Sequence, residues 1–216
     1  SDFGKNKKVN VEFVSAIAYD SRIKSDVFAK AAAEVLAANG ITAHLYPQLM
    51  PTPALSFAVR HLKCDAGICI TASHNPAKYN GYKAYGSDGC QVALEMADAI
   101  LDEINRLDIF RDVKHMDYDA AVEQGSIKAI GEDVVIAFLN AVKSQSILDC
   151  SDSDLKVVYT PLNGSGKMCV TRIFNMIGIK NITIVPEHSN SGQRDSHNLS
   201  RSLIFMASNS VSSSSP

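Results

Sequence analysis

The stretch Ala66-Gly67-Ile68-Cys69-Ile70-Thr71-Ala72-Ser73-His74-Asn75-Pro76 decides the reading of this chain. Its first five residues are apolar and run into a polar loop stopped by proline, the pattern of a strand buried on both faces of a sheet. Pro76 cannot continue a strand and biases Asn75 toward an extended backbone. Working outward, Ser15 to Tyr19 and Ile41 to Tyr46 read as two further short buried strands. Between them Ser25 is a candidate cap for a helix whose apolar face would be Phe28, Ala32, Val35 and Leu36, with Gly40 as its left-handed stop. Pro51 and Pro53 precede a second helix, Ala54 to Leu62. This β-α-β-α-β rhythm predicts an α/β fold, three-layer α/β/α around a mixed, mostly parallel sheet.

In open sheets of this kind ligands bind at the carboxyl ends of the strands, which is where Ser73 falls. His74 and Asn75 place polar groups beside its hydroxyl, and Lys83 follows ten residues later between Tyr82 and a second tyrosine at 85, on what reads as a returning strand. Three chemistries are open to such a serine. A serine hydrolase would need a Gly-x-Ser-x-Gly elbow, which is missing, and a base better placed than the adjacent His74. A phosphate-binding loop would offer backbone N–H groups and a cation. A phosphoserine enzyme would use Ser73 itself as the phosphoryl carrier, with lysine and histidine holding the charge.

The composition bounds the alternatives. The chain has 216 residues, 46% of them hydrophobic, enough for a core and too many for disorder throughout. A net charge of −2 argues against a nucleic-acid binder or an anionic-membrane binder. Five cysteines without a Cys-x-x-Cys pair fit reduced thiols in a cytoplasmic protein better than a disulfide framework or a structural zinc. Ser1 to Asn10 is polar and lysine-rich with no apolar run behind it, so no signal peptide is expected, and no apolar run approaches a membrane span.

Further along, Leu94 to Leu107 and Glu132 to Lys143 read as amphipathic helices. The polar run from residue 145 to 154 reads as a boundary, after which Lys156 to Tyr159, Gly166 to Met176 and Asn181 to Val185 start a second β-α-β unit. Ser189 to Pro216 carries 11 serines in 28 residues and reads as a tail without structure or of non-native origin. Domain expectations are therefore 1–148, a partial second α/β domain at 149–186, and a tail at 187–216. Asp149, Asp152 and Asp154 read as a solvated linker, and Asn163-Gly164-Ser165-Gly166-Lys167 departs from a P-loop at Pro161 and Met168.

Thr71-Ala72-Ser73-His74-Asn75-Pro76, with Tyr79-Asn80-Gly81-Tyr82-Lys83 behind it, resembles the active-site serine loop of the α-D-phosphohexomutase superfamily, the phosphoglucomutases and phosphomannomutases. Ala18-Tyr19-Asp20-Ser21-Arg22, Pro51-Thr52-Pro53-Ala54 and Tyr159-Thr160-Pro161-Leu162-Asn163-Gly164-Ser165-Gly166 resemble other family segments, and the likeness runs from about Lys8 to Pro186. Gly81 to Gln91 looks closest to the phosphoglucomutase and phosphopentomutase branch. The resemblance implies a mutase that interconverts hexose 1-phosphate and hexose 6-phosphate through a phosphoserine and a sugar bisphosphate. Phosphomannomutase, phosphopentomutase and a non-catalytic remnant that binds phosphorylated sugar are the alternatives.

By the family pattern Ser73 carries the phosphoryl group and, through its phosphate, contributes one ligand to Mg2+. Lys83 is the proton-transfer residue, His74 and Asn75 position phosphate or sugar, and Arg22 is a phosphate-binding cation. The family's Asp-x-Asp-x-Asp-Arg metal loop, its opening arginine segment and its later domains have no counterpart here. The expectation is a truncated mutase, inactive alone and prone to self-association where absent domains would dock.

Overall fold

The computed structural model describes residues 12–73, 75–76, 78–147, 154–162, 164–186 and 203–207. Its first unit is a five-stranded sheet of β1 (Phe13–Tyr19), β2 (Ile41–Leu45), β3 (Ala66–Ile70), β4 (Tyr82–Gly86) and β5 (Ile127–Ala129) in the order β4-β3-β1-β2-β5. All neighbours are parallel except β3 and β4, so the sheet is mixed and mostly parallel. Helices α1 (Ser25–Ala38) and α4 (Tyr118–Glu123) lie on one face, and α2 (Thr52–His61) and α5 (Glu132–Lys143) on the other. Strand β1 shows why three layers form. Its Ala16 and Ala18 join the core shared with Leu55, Val59, Phe138 and Leu139, while Ile17 and Tyr19 join the core under Ala29, Ala33 and Ala37. A central strand with apolar side chains on both pleats must be covered twice.

Three expectations are corrected by the structure. Helix α1 buries Ser25, Ala29, Ala33 and Ala37, not the larger stripe. Small residues at every fourth position let the helix sit close on the sheet, while Phe28, Ala32, Val35 and Leu36 line an apolar groove of about 950 Å3 that reaches Ile70 and Tyr82, with Ala32 and Leu36 also packed against the edge of the core. Ser25 is the first helical residue, not the cap: Lys24 holds the cap position at φ 63°, and the Ser25 hydroxyl donates to Asp20 at 2.9 Å. Gly40, at φ 76°, does end the helix in the left-handed region as glycine favours. The third correction concerns the serine-rich end. Leu203–Ala207 forms β8, antiparallel to β6 (Lys156–Thr160), with β7 (Asn181–Ile184) on the other side of β6. The serine count had averaged away this short apolar run.

Helix α3 (Leu94–Arg106) buries none of its side chains, and Leu94, Leu101 and Ile104 are exposed. Helix α6 (Lys167–Met176) completes the second unit, where Val157, Tyr159, Phe174 and Ile179 form a small core. Cys169 packs into the core of the first unit, and Arg172 pairs with Glu132 at 2.6 Å, which ties α6 to α5.

Candidate active site

Strand β3 delivers Ser73 and β4 delivers Lys83. The two strands pair antiparallel with Ile70 opposite Tyr82 and Cys69 opposite Lys83, so the chain leaves β3, makes the loop from 71 to 81 and returns alongside itself. The loop is closed at its base by the Thr71 amide, which donates to the Gly81 carbonyl at 3.0 Å. A Cβ at Gly81 would lie 2.7 Å from the Thr71 oxygen, so only glycine lets the two backbones approach this closely.

At the head of the loop Ser73 takes φ 53°, a left-handed conformation that costs a non-glycine residue on the order of 1–2 kcal/mol. Its amide is held by Thr71 Oγ1 at 3.1 Å. The Lys83 ammonium donates to Ser73 Oγ at 2.6 Å, and both residues are half-buried. The hydroxyl is thus neither sealed in the core nor free in solvent, and a cation already sits on the oxygen that would carry or release a phosphoryl group. The Thr52 hydroxyl at the start of α2 lies 3.7 Å from Cys69 Sγ, on the β3 pleat that faces the Lys83 side of β4.

The other expected residues divide. Arg22 is buried under the loop, with its side chain at 0% exposure. It pairs with Asp20 at 3.1 Å and donates to the carbonyl oxygens of Asn75 at 2.7 Å, Pro76 at 3.0 Å and Tyr79 at 3.2 Å, and also to that of Ser73. Each guanidinium nitrogen thus has a protein acceptor, Nε on Asp20, one terminal nitrogen on three carbonyls and the other on the Ser73 carbonyl, and the expected part of Arg22 as a phosphate-binding cation would compete with these contacts. Asn75 is exposed on the loop, and His74 lies outside the described residues.

Four residues absent from the sequence-based candidates complete the constellation: Asp20, Ser25, Thr71 and Asn80. Asp20 accepts from the Arg22 Nε, from the Arg22 amide at 3.0 Å, from Ser25 Oγ and from Thr71 Oγ1 at 2.6 Å. Asn80 Nδ2 donates to Ser25 Oγ at 2.8 Å, and its Oδ1 accepts from the Gly81 amide at 2.9 Å. The signal available was polar residues clustered at the ends of β1 and β3, which marks a site but not its partners.

A magnesium ion finds little here to hold it. Among the described residues no three His, Cys, Asp or Glu side chains cluster as a metal site, and the Asp20 carboxylate is committed to four donors. Apart from Ser73 once phosphorylated, the described residues supply no ligand set for the ion.

The fold and the site define an open α/β domain with a serine and a lysine paired at the carboxyl edge of its sheet, and likeness to known proteins narrows that class. The family described as "Phosphoglucomutase/phosphomannomutase, alpha/beta/alpha domain I" matches residues 6–109. A phosphoglucomutase of Staphylococcus saprophyticus is 38% identical over 182 residues, 83% of this chain and 33% of that protein. One from Staphylococcus haemolyticus is 36% identical over 189 residues, 86% of this chain and 33% of its own length. A crystal structure from Thermus thermophilus, assigned as a phosphomannomutase, superposes with TM-score 0.69 at 27% identity, over 84% of this chain and 39% of that one. Over residues 6–109 the chain matches the first domain of the phosphoglucomutase/phosphomannomutase family. It spans about a third of the length of the curated relatives it matches.

Proposed function

We propose that this chain carries the phosphoserine half of a phosphosugar mutase, most closely a phosphoglucomutase, with Ser73 as the phosphoryl carrier and Lys83 as the proton-transfer residue. The observation that supports this best is the 2.6 Å hydrogen bond from Lys83 Nζ to the oxygen of a serine displayed in a left-handed turn. The same pairing gives the chemistry. When the phosphoryl group leaves Ser73 for a sugar hydroxyl, the P–Oγ bond breaks and negative charge builds on Oγ. An ammonium at hydrogen-bond distance protonates that oxygen, the amine it leaves takes up the proton that the attacking sugar hydroxyl releases as its oxygen bonds phosphorus, and rephosphorylation of the serine runs the same transfers in reverse. Positioning and charge neutralisation supply most of the catalysis in such transfers, which is what a rigid strand-end pair offers.

Around that pair, His74 and Asn75 are assigned to phosphate or sugar contact, and residues 1–148 and 149–186 to the first domain and the start of the second. Mg2+ belongs to the proposal through the Ser73 phosphate alone, with its other ligands supplied from beyond the described residues. Phosphorylated hexose and a hexose bisphosphate are the small-molecule partners. Cytoplasmic residence suits the buried thiols of Cys64 and Cys169, which burial pushes up to about 11. Among the described residues no helix is long and apolar enough to cross a membrane. Self-association through α3 is part of the same reading, because its apolar stripe is uncovered.

The experiment is direct. The purified chain is incubated with glucose 1,6-bisphosphate and Mg2+, then mapped by peptide mass spectrometry. One phosphoryl group on Ser73, absent in Ser73→Ala and much slower to appear in Lys83→Met, is the expected result. A serine that stays unmodified, or a label on another residue, refutes the assignment.

A further inference from the structure

We propose that Arg22 is a positioning residue for Ser73: it holds the serine loop in the one shape that presents Oγ to Lys83, without touching the substrate itself. This inference rests on the mutase reading for its kinetic consequence and on geometry alone for its structural one.

A left-handed serine at the head of the 71–81 excursion does not hold itself, because the conformation is unfavourable and the loop is largely exposed. The Thr71 hydroxyl fixes the Ser73 amide, and the Asn75 amide reaches back to the Ala72 carbonyl at 3.1 Å. The carbonyls that follow have no strand to pair with. Those of Ser73, Asn75, Pro76 and Tyr79 all turn inward and end on one guanidinium. Four acceptors spread along the loop therefore share a single rigid donor fork.

The fork is itself fixed from below. Asp20 grips its Nε, and Asp20 is gripped in turn by the hydroxyls of Ser25 and Thr71. Arg22 thus joins the end of β1 to the loop after β3, and its charge is compensated inside the protein. Lysine is no substitute. It has three donors on a flexible stem and no planar fork, so it cannot serve four carbonyls and Asp20 together. In Arg22→Lys the charge stays and the convergence is lost. The loop then samples other shapes, and the Ser73 Oγ to Lys83 Nζ contact is made only part of the time.

The test compares the full chain with Arg22→Lys and Arg22→Met by two readouts. The first is amide hydrogen exchange, which needs no activity. The expected result for Arg22→Lys is at least a tenfold loss of protection confined to residues 72–81, with the amides of β1, β2 and α2 unchanged. The second is the concentration dependence of Ser73 phosphorylation by glucose 1,6-bisphosphate. The maximal rate is expected to fall about a hundredfold in Arg22→Lys while the half-saturating concentration stays within about threefold, because positioning is lost and binding is not. Protection and rate both at the level of the unsubstituted chain would overturn the proposal. So would an equal loss of protection across all strands, which marks a merely structural residue, or a rise in half-saturating concentration at constant maximal rate, which marks a phosphate contact. If the unsubstituted chain takes up no phosphate, the mutase reading fails and exchange alone decides the clamp.

Discussion

The meeting of Ser73 and Lys83 was legible in the sequence because they sit in a short contiguous string at the end of an apolar run. Arg22 was named from the same kind of string, without its bonds to the loop carbonyls. Apart from Asp20, what it touches lies more than fifty residues away, and no local pattern shows that a guanidinium points down into carbonyl oxygens and not out toward a ligand. Asp20, Thr71 and Asn80 were missed for the same reason: each acts through a partner brought near only by folding. At this scale Gly81 supplies a sharp prediction. Gly81→Ala places a methyl against the Thr71 carbonyl oxygen and opens the loop at its base. A loss of about 1–3 kcal/mol is expected in urea unfolding, together with slower labelling of Ser73.

Among the elements, the parallel strands and their first two helices could be read because their periods are clean and their stops are glycine and proline. Strand β5 was not, since Ile127–Ala129 is only three residues long and is recruited by pairing with β2. The face of α1 was misread because hydrophobic size was weighed above closeness. Ala33 is at 0% exposure between helix and sheet, whereas Phe28 is at 45%. Ala33→Leu should therefore cost about 1–3 kcal/mol by overpacking, and Phe28→Ser less than about 1 kcal/mol, both by thermal or chemical denaturation. The β2–β5 pair also sets a pH dependence. His44 stands opposite Lys128, and burial first, then the lysine charge, lowers its pKa from 6.5. The folded state therefore holds the neutral ring more strongly than the unfolded chain does. Its contribution to stability is present above pH 6.5 and is lost as the pH falls through the lowered folded value. His44→Gln is expected to flatten the melting temperature across that acid range.

At the scale of the whole molecule, the groove beside α1 and the stripe of α3 are apolar and open among the described residues. Surfaces of this kind on one chain predict concentration-dependent association. Sedimentation velocity should show a species larger than monomer as concentration rises, and Leu101→Glu with Ile104→Glu should remove it without lowering the melting temperature, since α3 buries nothing. A monomer at every concentration would count against the self-association reading.

The alignment of β4 on β3 carries a consequence for how this site can vary. Lys83 faces the serine because it occupies an odd step of the pleat, on the same side as its neighbour across the ladder, Cys69. Sliding β4 by one residue would put that ammonium on the opposite side of the sheet and offer the serine an aromatic ring or a methyl in its place. The hairpin can accept new side chains, or a pair of extra residues, far more readily than a single one: what the chemistry counts here is parity.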